Sequence, residues 1–415
     1  MPERPRAALA PPDAARGTIL EVLAVFARLG LTSFGGPVAH LGYFRAECVE
    51  RRRWLDDAAY ADLVALCQFL PGPASSQVGI GLGYRRAGLA GAFAAWLGFT
   101  LPSAIALAAF AFGVQAVGDV EGAAWLRGLK IVAVAVVAHA VWGMATKLTP
   151  DAPRITVALG AALAALAWTG ALAQVAIIAC GALLGLTWLP RPAEDADGRR
   201  TAAAVPGGVP RRVGAALLAV FAVLLMALPV AREASTAQAL GVADAFYRTG
   251  ALVFGGGHVV LPLIQAEVVP AGWVDEATFV AGYGAAQAVP GPLFTFSAFL
   301  GASMAPGAAG VGYAALALLA VFVPSFLLLL GVLPFWEGLR RRLAVRRALV
   351  GVNAAVVGLL LAALYDPVWT AAVAGPRDAA LVLAAYGALA VWKVPPWAVV
   401  IGGAAATAGL AAIGA

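Results

Sequence analysis

Long, nearly charge-free apolar runs alternate with short polar connections along most of this chain. The runs at residues 89–113 and 311–333 have the length of roughly 20 residues that an α-helix needs to cross the hydrocarbon core of a bilayer. Runs at 129–147, 155–168, 171–189, 213–230, 348–364, 378–393 and 397–415 share this character, and each predicts a further span. Two stretches depart from the pattern. Residues 18–53 predict an apolar helix, a Gly-Gly-Pro interruption and a second, more polar helix, because glycine and proline together interrupt the hydrogen-bond ladder. Asp56 and Asp57 then predict an N-cap for a helix over 58–70, which Pro71-Gly72-Pro73 ends, and a shorter helix follows to Tyr84.

Composition narrows the class. The chain is 62% hydrophobic and only 12% charged, where a soluble domain carries roughly 25% charged residues. The fold class expected is an all-α polytopic membrane protein, and a soluble enzyme is excluded. The net charge of +6 does not imply nucleic-acid binding, because the basic residues lie in short loops between apolar runs. Cys48, Cys67 and Cys180 form no CxxC pair and no His/Cys cluster, so neither a metal site nor a structural disulfide is indicated. Residues 1–17 lack the apolar centre of a cleaved signal peptide and read as a cytoplasmic tail.

Together the two broken stretches form one segment, Arg28 to Pro73, that the chain carries twice. Arg28, Phe34-Gly35-Gly36-Pro37, Glu47, Trp54-Leu55-Asp56-Asp57 and Gln68 to Pro71-Gly72-Pro73 recur as Arg248, Phe254-Gly255-Gly256-Gly257, Glu267, Trp273-Val274-Asp275-Glu276 and Gln287 to Pro290-Gly291-Pro292. The offset is 220 residues up to the glutamate and 219 from the tryptophan onward. An internal duplication of this extent sets the architecture. It divides the chain into the tail, a first repeat over 18–189, a polar cytoplasmic linker over 190–212, an extra span over 213–230, and a second repeat over 238–415.

Charge placement orients these pieces. Arg4, Arg6 and Arg16 precede the first break, Arg45 and residues 51–53 follow it, and Arg85 and Arg86 follow the second. All three clusters lie on the cytoplasmic side if the broken segments are re-entrant hairpins, as the positive-inside tendency favours. Four spans followed by the unpaired fifth make the second copy enter from the opposite side. Glu267, Asp275 and Glu276 accordingly stand where the first copy is basic. The expected plan is two inverted-topology repeats with broken or re-entrant helices at the Phe-Gly-Gly and Pro-Gly-Pro motifs. Secondary transporters use this plan to hold substrate near the midplane.

Broken backbone at membrane depth is tolerated where it is buried in protein or lines a wet cavity. Helix N-termini beginning at such breaks offer N–H groups and positive dipole ends to an anion, although glycines there also permit close helix packing. Phe34, Gly35, Gly36, Pro71, Gly72, Pro73, Phe254, Gly255, Gly256, Pro290, Gly291 and Pro292 are therefore candidate substrate-binding positions. Arg28 and Arg248 sit inside apolar sequence. A guanidinium matches a tetrahedral oxyanion bidentately; the alternatives are internal ion pairs, with Glu21 and Asp244, or snorkelling. Gln68 and Gln287 can donate to substrate or tie down helix carbonyls. Ser75, Ser76, Thr295 and Ser297 can line the cavity or bond their own helices. Glu47, Glu267 and His258 are candidates for a coupling proton, against a loop-facing role for the glutamates and an interior histidine for His258. Asp56 and Asp275 read as caps. No nucleotide-binding loop, catalytic triad or HExxH pattern occurs, so no cofactor is expected and an ion gradient is the simpler energy source.

The segments Leu31-Thr32-Ser33-Phe34-Gly35-Gly36-Pro37-Val38-Ala39-His40, Glu50-Arg51-Arg52-Arg53-Trp54-Leu55, Gln68-Phe69-Leu70-Pro71-Gly72-Pro73 and Gly83-Tyr84-Arg85-Arg86-Ala87-Gly88, with Phe254 to His258 and Gln287 to Pro292, resemble the long-chain, bidomain type of the chromate transporter (CHR) family. The resemblance spans nearly the whole chain apart from tail and linker. It implies an inner-membrane carrier that exports chromate, driven by the proton motive force, and so confers chromate resistance. Sulfate uptake or sulfate/chromate exchange is the alternative within the same fold, since sulfate is isosteric with chromate. An intramembrane enzyme would need a nucleophile or metal constellation that the sequence lacks. The partners expected are an oxyanion, protons, the lipid bilayer and a second copy in a homodimer.

Overall fold

The computed structural model describes residues 17–34, 36–117, 124–168, 171–190, 208–254, 260–340 and 342–412. The tail, most of the 190–212 linker, Gly35, and Gly255, Gly256 and His258 lie outside them. Among the described residues every regular element is helical, and five helices are long and apolar enough to cross a membrane. The protein is an all-α, multi-pass membrane protein. Large apolar side chains such as Leu20, Leu163, Leu383 and Trp392 lie exposed on its outside, where lipid is their solvent.

The first half runs through α1 (Ile19–Thr32), α2 (Gly36–Phe44), α3 (Asp57–Phe69), α4 (Ala74–Val117), α5 (Ala124–Leu148), α6 (Ala152–Ala167) and α7 (Ala171–Thr187). After α8 (Arg211–Glu233), the second half runs through α9 (Gln238–Leu252), α10 (Val260–Val268), α11 (Glu276–Ala286), α12 (Phe296–Ser303), α13 (Gly307–Val332), α14 (Trp336–Arg340), α15 (Leu343–Ala363), α16 (Pro376–Ala390) and α17 (Pro396–Ala412). These agree with the expected spans to within a few residues. The 14-residue α1 and 13-residue α3 each rise only about 20 Å, short of the roughly 30 Å hydrocarbon core. The helix after Pro73 ends close to Tyr84, as expected: Ala87 (φ −140°) and Gly88 (φ +67°) break α4 into two helical parts, and a Cβ on Gly83 would meet the Gly91 carbonyl across the turn.

Local signals explain the element ends. Asp56 accepts from the Ala59 N–H at 2.8 Å and Asp275 from the Thr278 N–H at 2.8 Å, so the matched aspartates are the N-caps they were expected to be, each contributing roughly 1 kcal/mol. The one-residue slip between the copies also has a physical site. Residues Arg45–Arg51 form a π-helical turn, the helical form that accommodates an inserted residue, and no such turn follows α10. Beyond it both chains return to the same geometry: Trp54 N–H bonds Cys48 O at 2.8 Å and Trp273 N–H bonds Val268 O at 3.1 Å. Arg53 and Gly272, just before these tryptophans, share a left-handed backbone, at φ +51° and +69°.

The halves interlock. Helix α1 packs on α4 and α9 on α13, but α5 packs on α16 and α17 of the other half, and α15 on α6 and α7. The exchange needs small residues: a Cβ on Gly351 would collide with the Gly181 carbonyl. Helix α8 lies outside, against α9 and α13, with only Gly214 buried.

Candidate functional site

The two Pro-Gly-Pro loops cross between the halves, each docked against the opposite half. Gly72 N–H donates to Val253 O at 2.6 Å, and Gly291 N–H donates to Ser33 O at 3.0 Å. Ser33 and Val253 are the residues just before the two Phe-Gly breaks. Both glycines need positive φ, +118° at Gly72 and +97° at Gly291, a conformation open to glycine and strained for other residues. A Cβ at Gly72 would stand 2.9 Å from Ser325 Oγ, and one at Gly291 would stand 2.9 Å from Ser103 Oγ. Ser103 and Ser325 each follow a proline inside a long helix, Pro102 in α4 and Pro324 in α13. These matched Pro-Ser pairs are part of the site, and the sequence reading missed them. They stand 222 residues apart, three more than the offset of 219 at the loops, so that offset extended unchanged passes over them.

Around the crossing lies an unusual quantity of buried polar chemistry. Ser33, His40, Ser75, Ser76, Gln77, Thr100, Ser103 and Ser325 are all buried. His40 Nε2 lies 3.2 Å from Ser33 O, which can only accept, so Nε2 carries the proton and Nδ1 accepts from Ser75 Oγ at 3.4 Å. Gln77 Nε2 donates to Pro71 O at 2.7 Å. The side-chain oxygens Ser33 Oγ, Ser76 Oγ, Gln77 Oε1, Thr100 Oγ1 and Ser325 Oγ have no partner among the described residues, and each buried polar atom left so costs about 1–3 kcal/mol. Thr295 and Ser297 instead bond their own backbone, to Pro292 O and Phe294 O at 2.7 Å each.

A cavity of about 290 Å³ opens beside the crossing, lined by Gly36 and Pro37 at the start of α2, by Gln287, Val289 and Gly291, by His139 of α5, and by Lys393 in the α16–α17 connection. Of the expected site residues, Gly36, Gln287 and Gly291 meet in this cavity, while Gly72, Pro71, Pro73 and Ser75 belong to the crossing. Phe34 packs its ring on Trp397 at 5.9 Å, and Phe254 is half-buried, while Gln68 is exposed on α3. His139 and Lys393 were not expected: neither falls in the duplicated motifs.

The two arginines are ion-paired with the two glutamates of their own copies. Arg28 pairs with Glu47, and Arg248 with Glu267 at 3.0 Å. Glu21, the sequence-based alternative partner of Arg28, pairs instead with Arg52 and Arg86, while Asp244 does pair with Arg248. Glu47 and Glu267 are buried rather than loop-facing. Glu47 also takes Arg51 at 3.1 Å and Arg52 at 2.6 Å, and Glu267 takes Arg232 at 2.9 Å. Burial pushes the Glu47 carboxyl upward, but hydrogen bonds from Arg52, Arg28 and Arg51 outweigh it and hold the carboxyl below its ordinary range. Neither arginine lines the cavity.

Comparison with known proteins agrees with this architecture. A family model described as "Chromate transporter" matches twice, at residues 20–186 and 240–409. A "Chromate transport protein" of Pseudomonas aeruginosa is 29% identical over 353 residues, covering 83% of this chain and 80% of the relative. A "Probable chromate transport protein" of Synechococcus elongatus is 28% identical, covering 82% of each chain. A "Chromate transport protein" of Cupriavidus metallidurans is 26% identical, covering 84% of this chain and 82% of the relative. No solved structure gives a significant match. With both halves matched by the same family model, and each half's Pro-Gly-Pro loop seated against the other's Phe-Gly break, the chain belongs to the chromate transporter family.

Proposed function

We propose that this protein exports chromate, or a tetrahedral dianion like it, across the inner membrane by alternating access, driven by the proton motive force. The reciprocal seating of Gly72 on Val253 and Gly291 on Ser33 carries the reading. It supports two inverted repeats whose broken helices meet at one buried polar centre, the plan by which secondary transporters expose a site to each side in turn. The relatives' names supply the substrate class.

Charge supports the direction. In the first half Arg28, Arg51, Arg52 and Arg86 surround Glu21 and Glu47, four cations on two carboxylates. In the second half Arg232 and Arg248 face Asp244 and Glu267, two on two. The positive surplus lies on the side that the positive-inside tendency makes cytoplasmic, where it raises the local concentration of anions. Glu47 and Glu267 are the proposed proton-linked groups, each a buried carboxylate set against the arginine of its own copy.

The test is chromate accumulation in everted membrane vesicles with and without the protein, energised and then treated with a protonophore, with sulfate as competitor. Uptake that collapses with the protonophore is expected. Saturable sulfate flux without chromate movement would move the protein to sulfate transport on the same fold, and flux of neither anion would sink the reading.

A further inference from the structure

We infer that the cavity between Gly36 and Gln287 is the oxyanion subsite and that Lys393, not Arg28 or Arg248, supplies its fixed positive charge. This rests on the transporter reading above and names the residues that would recognise the anion. Arg248 shares Asp244 and Glu267 with Arg232, and Arg28 is held by Glu47. An anion at either guanidinium would have to compete with a buried carboxylate already bound to it. Lys393 forms no ion pair among the described residues, and it lines the cavity.

Its backbone is equally specific. Lys393 has φ +55°, one of two non-glycine residues with positive φ among the described residues. It sits where α16 ends, with Val394 N–H closing on Ala388 O at 2.9 Å, a position that glycine usually takes. Holding an L-residue there is strained, and such strain clusters at ligand sites. The other walls supply unpaired polar atoms. Gln287 Nε2 and His139 Nδ1 have no hydrogen-bond partner among the described residues, and His139 is steadied by Tyr386, ring edge to ring face at 6.2 Å. Gly36 opens the nine-residue α2 at φ +78° with no atom within 4 Å of where a Cβ would stand, so the dipole's positive end faces open space. The anion would thus be gripped between a broken helix of the first half, the crossing loop of the second, and Lys393 on the connection between the last two helices.

The experiment measures KM for chromate in everted vesicles carrying wild type, Lys393→Gly, Lys393→Arg or Lys393→Cys, each also followed by thermal unfolding in detergent. Lys393→Gly relieves the positive φ, so its unfolding temperature should equal or exceed that of wild type. Its KM should nonetheless rise about tenfold or more, the scale of one lost charged hydrogen bond. Lys393→Arg should stay within about threefold of wild type. Treating Lys393→Cys with an ethylammonium methanethiosulfonate should restore the low KM, and a neutral methanethiosulfonate should not. An unchanged KM in Lys393→Gly, or a loss that the ethylammonium group does not repair, overturns the assignment while leaving chromate transport by the wild type intact. If the wild type moves only sulfate, the same KM series is read with sulfate. A wild type that moves neither anion defeats the transporter reading itself.

Discussion

Gly72 and Val253, 181 positions apart, are joined by a 2.6 Å hydrogen bond from the loop of one half to the break of the other, and Gly291 and Ser33 repeat the contact in reverse. A break in a helix frees backbone groups that lipid cannot satisfy. Here the N–H of each loop glycine meets a carbonyl at the opposite break. The two halves therefore complete each other's broken helices, and neither half has a satisfied backbone alone.

Gly72→Ala and Gly291→Ala should each abolish transport and lower stability by about 2 kcal/mol or more, because positive φ is strained for alanine and the new methyl group would press on Ser325 or Ser103. Gly36→Ala carries the same φ strain without a collision and should cost only about 1 kcal/mol. Thermal unfolding in detergent ranks the three, and equal losses would contradict the docking argument.

Glu267→Gln should destabilise the fold by about 3–5 kcal/mol, the scale for stranding a buried charge, since it leaves Arg232 and Arg248 to share Asp244 alone. Replacing Arg248 by Gln in the same chain should recover part of the loss. A double variant no more stable than the single one would show that the pair is not coupled.

Acid should loosen the first-half cluster. The Glu47 carboxyl titrates below its ordinary value of 4.5 in the fold, so the unfolded chain binds the proton more readily. Its contribution to stability is complete above that value and is lost as pH falls through the lower, folded value. The unfolding temperature of the wild type should drop more steeply below about pH 4.5 than that of Glu47→Gln. Parallel curves would remove Glu47 from the acid response.

Arg53 and Gly272 occupy the same left-handed turn in the two copies, and both are exposed. In a background carrying Cys180→Ser, Arg53→Cys should react with an impermeant thiol reagent from one side of the membrane and Gly272→Cys from the other. Labelling from the same side would defeat the inverted-repeat arrangement.

The membrane class, nearly all helix positions, the duplication and the two aspartate caps were legible in the linear sequence. Apolar run length, glycine-proline interruption and capping act over a few residues, and so leave their mark locally. Even the one-residue slip was visible as an offset change, though its cause, the π turn at Arg45–Arg51, was not. Tertiary structure alone decided the partners. Which carboxylate Arg28 takes depends on α2 folding back beside α1, and that brings Glu47 rather than Glu21 to it. Helices α5 and α15 pack across the halves, which brings His139 and Lys393 to a cavity otherwise built from the motifs. Those two residues carry no repeat signature because the cavity is asymmetric: its walls come from different elements of the two halves. Periodicity records what a segment does with its neighbours in sequence, and the cavity was made by neighbours in space.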